Sequence, residues 1–352
     1  MSSHGLIVGA TPQALLCLNQ SVTSILHVGV IGTGNIGTAH AVALAREVAG
    51  AEVTWLYDVD ASRATALAAD LGANVAPSVE DLIAASEAVV IASPDDLHPE
   101  QALLCLEAQR PTLCEKPLAP SVPDATRVVD AEVALGRRLI SLGFMRRFDP
   151  GYVALKAAIP SVGDPLLVRN VHRNSFAPYG LASALTLTNA AIHEFDINRW
   201  LLDDEFATVQ VVTGRPGPRT PEGEFDPLLV ILTTTRGTIV EIEAFINGSY
   251  GYEVRCEVVA GDGTLDMGDA SYITKRASRS IGRELPELWL GRFGDAYRIE
   301  MQAWVDATHA GQTCGATAWD GLIATITANT AVTAITQGPQ VIDLPPRPAL
   351  YS

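Results

Sequence analysis

The stretch "GVIGTGNIG", residues 29–37, constrains this chain more than any other. It sets Gly32, Gly34 and Gly37 in the spacing Gly-x-Gly-x-x-Gly, behind the apolar run "HVGVI" and ahead of the Ala-rich "IGTAHAVALAREVAG". Strand, tight turn and helix in that order make a dinucleotide-binding unit. The first glycine permits the turn, the second lets a pyrophosphate approach the backbone, and the third lets the helix pack on the strand. Asn35, Ile36 and Gly37 open the helix, whose amides and dipole favour an anion. Asp58 ends the next strand-like run, "AEVTWLYDV". A carboxylate there accepts from the adenosine ribose hydroxyls and repels a 2′-phosphate, so the cofactor expected is NAD rather than NADP. An ordinary strand-end turn is the bland reading of the same glycines, and it leaves Asp58 without a reason.

The rhythm of the chain extends this unit. "SRATALAADLG" reads as a helix, "EAVVIAS" as a strand, "HPEQALLCLEAQR" as a helix and "PTLCEKP" as a strand and turn. "DATRVVDAEVALGRR" and "LISLGFM" add one more helix and strand. Strand and helix alternating through short links predict a parallel, doubly wound Rossmann sheet over residues 26–143. After that the rhythm changes. "LLVRNVHRNSF", "ATVQVVTG", "PLLVILTTTRGTIVEIEAFING" and "YEVRCEVVAGDGTLDMG" are successive strand-like runs with turns between them. They predict a second α/β domain over residues 144–352, built on an open, mainly antiparallel sheet with the helix around residue 193 on one face. One sheet face is expected against that domain's helices and the other against a second subunit, making a dimer or tetramer. "TGRPGPRTPEGEFDP" reads as a surface loop.

Composition excludes several classes of partner. A formal net charge of −16 gives neither nucleic acid nor an anionic membrane the basic surface it needs. Residues 1–25 are mildly apolar but lack a basic start and are broken by polar residues, so they read as an extension rather than an export signal. Five scattered cysteines make neither a disulfide framework nor a metal-ligand spacing, and a reducing cytoplasm is the expected setting, with no metal.

Two candidate groups for proton chemistry stand out. Lys116, in "CEKPLA", follows a parallel strand whose C-terminal end faces the cofactor crevice. A lysine near a cationic nicotinamide has a lowered pKa and can join a proton relay; a solvated loop charge is the plainer reading. His193, in "TNAAIHEFDINRW", lies in a run that reads as a helix, with Asn189 one turn before it and on the same face. Asp196 offers His193 a partner, or a cap or salt bridge for the helix. On these residues alone, a packed core or rim histidine is the commoner explanation of the pattern.

Taken together, "EKPLA", "GFMRRFDPGY", "HRN" and "IHEFDINRWLL" behind a dinucleotide fingerprint resemble the glucose–fructose oxidoreductase/inositol dehydrogenase (Gfo/Idh/MocA) family, its inositol-type members in particular. The likeness runs from about residue 27 to the "GATAWDGLIATITANTAV" helix. It implies that Lys116 and His193 are the catalytic pair. Asn189 stands where the family usually carries the Asp that completes a Lys–Asp–His set. Met145, Arg146, His172 and Tyr252, with Asn189 and His193, are implied to line a polyol pocket. Asp58 is implied to hold the ribose, and Ser93, His98, Glu115 and Lys116 to border the nicotinamide, with Tyr297 joining from the second domain. The implied reaction is NAD-dependent oxidation of a secondary alcohol on a cyclic polyol, first of all myo-inositol to its 2-keto product. Scyllo-inositol, a pyranose sugar or another polyol are the alternatives within this chemistry. A cofactor-binding sensor or structural subunit without turnover is the alternative from another class, and Asn189 is what favours it.

Overall fold

The computed structural model describes residues 25–177, 180, 182–268 and 273–352, so the N-terminal extension lies outside the described residues except for its last position. The first half runs β1 (Leu26–Ile31), α1 (Asn35–Arg46), β2 (Ala51–Tyr57), α2 (Ala61–Leu71), β3 (Asn74–Val75), α3 (Val79–Ala85), β4 (Ala88–Ile91), α4 (His98–Glu107), β5 (Thr112–Glu115), α5 (Val122–Leu135) and β6 (Ile140–Gly143). Strands β4, β5 and β6 are buried throughout, which is why they read as unbroken runs. Parallel strands covered on both faces have that pattern.

The second half continues with α6 (Pro150–Ala158), β7 (Pro165–Arg173), α7 (Ser183–Leu185), α8 (Ile192–Leu202), β8 (Phe206–Thr213), β9 (Leu228–Thr234), β10 (Ile239–Phe245), β11 (Glu253–Ala260), β12 (Gly263–Asp266) and the small hairpin β13 (Lys275–Ala277) and β14 (Ser280–Gly282). It ends with α9 (Trp289–His309), β15 (Ala316–Thr317), α10 (Ala318–Gln337) and β16 (Gln340–Val341).

The first sheet has the order β15-β6-β5-β4-β1-β2-β3, parallel except for β15. Its order reverses between β1 and β4, and the crevice beyond the C-terminal ends of strands at such a switch point is where α/β sheets bind ligands. The second sheet has the order β12-β11-β7-β10-β9-β8-β16 and is antiparallel apart from the β10–β7 pair. Burial alternates along β9, β10 and β11. One face of the sheet is therefore core, carrying Val168, Val230, Ile242 and Cys256. The other face carries Arg–Glu pairs, Arg173 with Glu243 and Glu253 and Arg169 with Glu257.

Residues 144–352 are less segregated than the sequence suggests. Strand β15 returns to pair with β6, and the long α10 behind it packs against α5. Thr317 and Asp320 close a reciprocal capping box at the start of α10, which fixes where that crossing helix begins. Among the described residues no helix is long and apolar enough to cross a membrane.

Candidate active site

The loop after β1 has the shape that its glycines predict. Gly32 has φ +91°, and a side chain at Gly37 would place Cβ 1.9 Å from the carbonyl oxygen of Gly32. Gly34 is different: a Cβ there would meet no atom within 4 Å. It N-caps α1 without any side-chain cap, so the first amides of that helix face open space that an anion can fill. Asp58 braces this loop. Its Oδ2 accepts from the Thr33 amide at 2.6 Å and from the Thr33 hydroxyl at 2.9 Å, and its Oδ1 accepts from the Asp60 amide at 2.8 Å. Burial pushes the Asp58 carboxyl up, and these hydrogen bonds outweigh it, holding the group below its ordinary value and ionised. An anion beside an uncapped helix start and an open glycine suits a pyrophosphate with a ribose diol behind it.

Three further strand ends of the same sheet bring in the remaining groups. Behind β4, Ser93 donates from Oγ to Gln101 at 2.7 Å. His98, expected to border the cofactor, is buried with both ring nitrogens on carbonyl oxygens, Nδ1 2.7 Å from that of Pro117 and Nε2 2.9 Å from that of Ser93. It ties the loops after β4 and β5 together, so it shapes the crevice instead of presenting a ring nitrogen to it. Behind β5, Glu115 is buried with Oε1 2.8 Å from His40 Nε2, and its Oε2 accepts from the Lys116 amide at 3.1 Å. Tyr297 of α9 packs edge-on against His40, with ring centroids 5.6 Å apart, so it supports Glu115 from the second half. Behind β6, the turn Met145–Phe148 buries both Met145 and Arg146.

Helix α8 supplies the other wall. All of its residues except Trp200 are buried, which obliges each polar group on it to find a partner. Glu194 pairs with Arg146 and accepts on Oε2 from His172 Nδ1 at 2.9 Å. Burial pushes the Glu194 carboxyl up, but the Arg146 guanidinium and His172 hold it at about 2. Arg146, expected to reach substrate hydroxyls, is thus a buried support within hydrogen-bond range of His172, Nη2 to Nδ1 at 3.3 Å. Tyr252 stacks edge-on against His172 at 5.8 Å, and burial pushes its phenol up to about 12. Asp196 pairs with Arg147, at 2.5 Å and 2.9 Å, and not with His193.

His193 itself is buried, with Phe144 edge-on at 6.0 Å and no protein partner for Nδ1. Burial first, then the charges of Arg146 and Lys116 and the neighbouring His172, push its ring far below the ordinary imidazole value. The imidazole is neutral around pH 7 and one nitrogen is unsatisfied.

Asn189 does not share a regular helix face with His193. Residues Thr186–Ala190 form a π turn, with the Ala191 amide donating to the Thr186 carbonyl at 2.8 Å, and α8 starts afresh at Ile192. The turn aims Asn189 at Lys116, whose Nζ donates to the Asn189 main-chain carbonyl at 3.1 Å and to Oδ1 at 3.2 Å. The Asn189 Nδ2 donates to Asp95 Oδ2 at 2.9 Å. Burial lowers the pKa of Lys116, the Asp95 and Glu115 carboxylates raise it, and Arg146 lowers it further; burial prevails. Glu194, Arg147 and Asp95 were not singled out from the sequence. For Glu194 the available signal was an acid next to His193.

Among the described residues no group of three or more His, Cys, Asp or Glu side chains is placed to hold a metal ion. What the geometry does assemble is an open, anion-seeking glycine loop beside a neutral buried imidazole and a lysine of lowered pKa. Fold and site together define a nicotinamide-dependent oxidoreductase of two α/β halves.

The chain belongs to the Gfo/Idh/MocA oxidoreductase family. Residues 26–144 match its NAD-binding Rossmann-fold model and residues 162–343 its C-terminal alpha/beta domain model. It is 44% identical over 333 residues to inositol 2-dehydrogenase 1 of Saccharopolyspora erythraea, spanning 93% of this chain and 99% of that one. It is 41% identical to inositol 2-dehydrogenase of Cereibacter sphaeroides, again over 93% and 99%. The fold superposes on myo-inositol dehydrogenase from Lactobacillus casei, solved with NAD(H) and myo-inositol, with a TM-score of 0.89 at 34% identity, covering 93% of this chain and 100% of the other.

Proposed function

We propose that this protein oxidises a secondary alcohol of a cyclic polyol with NAD, and that myo-inositol is its substrate, giving the 2-keto product. The observation that carries this reading is His193, a buried ring kept neutral by burial and by the charges of Arg146 and Lys116, on the helix that follows the turn gripping Lys116 Nζ. The inositol dehydrogenases to which the chain is similar name the class of alcohol.

The nicotinamide, when bound, accepts the hydride. Gly32, Gly34 and the α1 amides would hold its pyrophosphate, and Asp58 its adenosine ribose. The protein's own part is the proton and its position. His193 accepts the hydroxyl proton, and Lys116 donates a hydrogen bond to the same oxygen as negative charge grows on it. The Glu194–Arg146–His172 set holds the far wall, with Tyr252 and Met145 beside it. The neutral His193 suits a base better than a cationic ring does. Asn189 is no mark of a retired site, because it is fully engaged with Lys116 and Asp95.

The face of the second sheet that carries the Arg–Glu pairs also carries Leu229, Ile231 and Phe245, half-buried. Apolar rows interleaved with charge suit a self-complementary contact, and we assign this face to a homo-oligomer. The four cysteines among the described residues are free, in keeping with a cytoplasmic enzyme.

NAD reduction measured over a panel of inositol isomers, pyranoses and linear polyols tests the reading. The greatest kcat/KM is expected with myo-inositol. Equal turnover of every polyol, or none, would reject it.

A further inference from the structure

We infer that Asp95 is the carboxylate of the proton relay, acting on Lys116 through the Asn189 amide. The inference rests on the reading that Lys116 acts at the reacting hydroxyl.

The chain of contacts is short and its polarity is fixed. As an ammonium, Lys116 Nζ can only donate, so it faces an oxygen; a carboxylate such as that of Asp95 can only accept, so it faces an N–H. An amide between them has one allowed orientation, Oδ1 to the ammonium and Nδ2 to the carboxylate, and that is the orientation found, at 3.2 Å and 2.9 Å. The main-chain oxygen of Asn189 adds a second acceptor for the same ammonium at 3.1 Å. Both oxygens come from one residue of the π turn Thr186–Ala190, a departure from regular helix of the kind that often marks a functional site.

Asp95 opens the 3-10 turn Asp95–Leu97 behind β4, on the cofactor side of the crevice, while Asn189 belongs to the second half. The hydrogen bond between them therefore crosses the crevice as well as carrying charge. It also gives an amide, rather than an acid, a reason to stand at position 189. A carboxylate at 189 would face Asp95 at hydrogen-bond distance, and two carboxylates so placed do not both ionise. The acid of this site stands one residue further out, and the amide links it to the lysine. Around Lys116 the charged and titratable groups are Asp95, Glu115, Arg146 and His193; Asp95 and Glu115 raise its pKa while Arg146 lowers it. Asp95 is a positioning residue, since it reaches the reacting oxygen only by way of Lys116.

The test compares the parent with Asp95→Asn, Asn189→Asp and the double variant, reading three quantities on the full-length protein. These are the kcat/KM pH profile with myo-inositol, the NAD dissociation constant, and the titration of the Lys116 amine by NMR in selectively labelled protein. Loss of the charge in Asp95→Asn is expected to move the Lys116 titration down by about one pH unit or more, and kcat/KM down on the order of tenfold, with NAD affinity within about twofold. Asn189→Asp alone is expected to add an ionisation to the pH profile. The double variant, which moves the carboxylate from 95 to 189, is expected to remove that ionisation and recover most of the rate. An Asp95→Asn protein that keeps the parent's Lys116 titration and pH profile overturns the inference. So does a double variant no faster than Asp95→Asn. A parent that binds NAD but oxidises no polyol refutes the functional reading instead, and the Lys116 titration then still decides the role of Asp95.

Discussion

Glu194→Gln is the substitution with the most calculable effect. Glu194 is fully buried, pairs with Arg146 and accepts from His172 at 2.9 Å. Its carboxyl sits at about 2 in the folded protein against an ordinary 4.5, because Arg146 and His172 more than offset its burial. That difference favours the ionised form by ~3 kcal/mol, the same order as the loss seen when one partner of a buried pair is removed. A depressed acid contributes its stability in full above pH 4.5 and loses it as pH falls through the folded value. Glu194→Gln should therefore unfold at lower urea concentration at pH 7, by roughly 3 kcal/mol in free energy. Its stability should also fall less than the parent's between pH 5 and pH 3, because the titrating group is gone. Urea denaturation at a series of pH values, followed by tryptophan fluorescence, measures both. A variant as stable as the parent at pH 7, or one with the parent's acid limb unchanged, would refute the idea that this pair holds the pocket wall.

Other predictions follow from the same geometry. Gly34→Ala should fold normally and lose NAD affinity, since its Cβ meets nothing within 4 Å but enters the space proposed above for the pyrophosphate; Gly37→Ala should destabilise the fold, since its Cβ would sit 1.9 Å from a carbonyl oxygen. Calorimetry with and without NAD distinguishes the two. Asp58→Ser should narrow the preference for NAD over NADP by removing the charge that repels a 2′-phosphate, and equal use of both cofactors by the parent would count against that role. His193→Gln should cut kcat on the order of a hundredfold or more with NAD binding retained, as loss of a general base does. Light scattering should find an oligomer at micromolar concentration, reduced by Ile231→Lys in the second sheet; a monomeric parent would contradict the assignment of that face.

The parts of the fold that depend on local pattern were legible. The glycine turn, the strand–helix alternation up to Gly143 and the long strands of the second sheet all appear where period and punctuation place them. Helix α3 was missed, although Ser78 and Asp81 give it a capping pattern, because seven residues make a weak periodic signal. Strand β15 could not be read, since its partner β6 lies far back in the chain and two residues carry no period. Which candidate residues meet one another was less legible than the fold. Asn189 and His193 looked like neighbours on one helix face because the spacing assumed 3.6 residues per turn, and the π turn broke that assumption. Asp196 looked like a partner for His193 by sequence distance, but Arg147 reaches it across the fold. Asp95 sat in view in "ASPDDLH" with nothing local to connect it to position 189. Charges pair in space, and local spacing carries little information about which ones meet.

The most direct test of the central claim follows the hydride. With myo-inositol deuterated at the reactive carbinol carbon, the account predicts deuterium on the nicotinamide ring of the NADH formed, one per ketone produced. It also predicts slower single-turnover oxidation than with the unlabelled polyol. Deuterium released to water, or ketone formed without a matching equivalent of NADH, would contradict it.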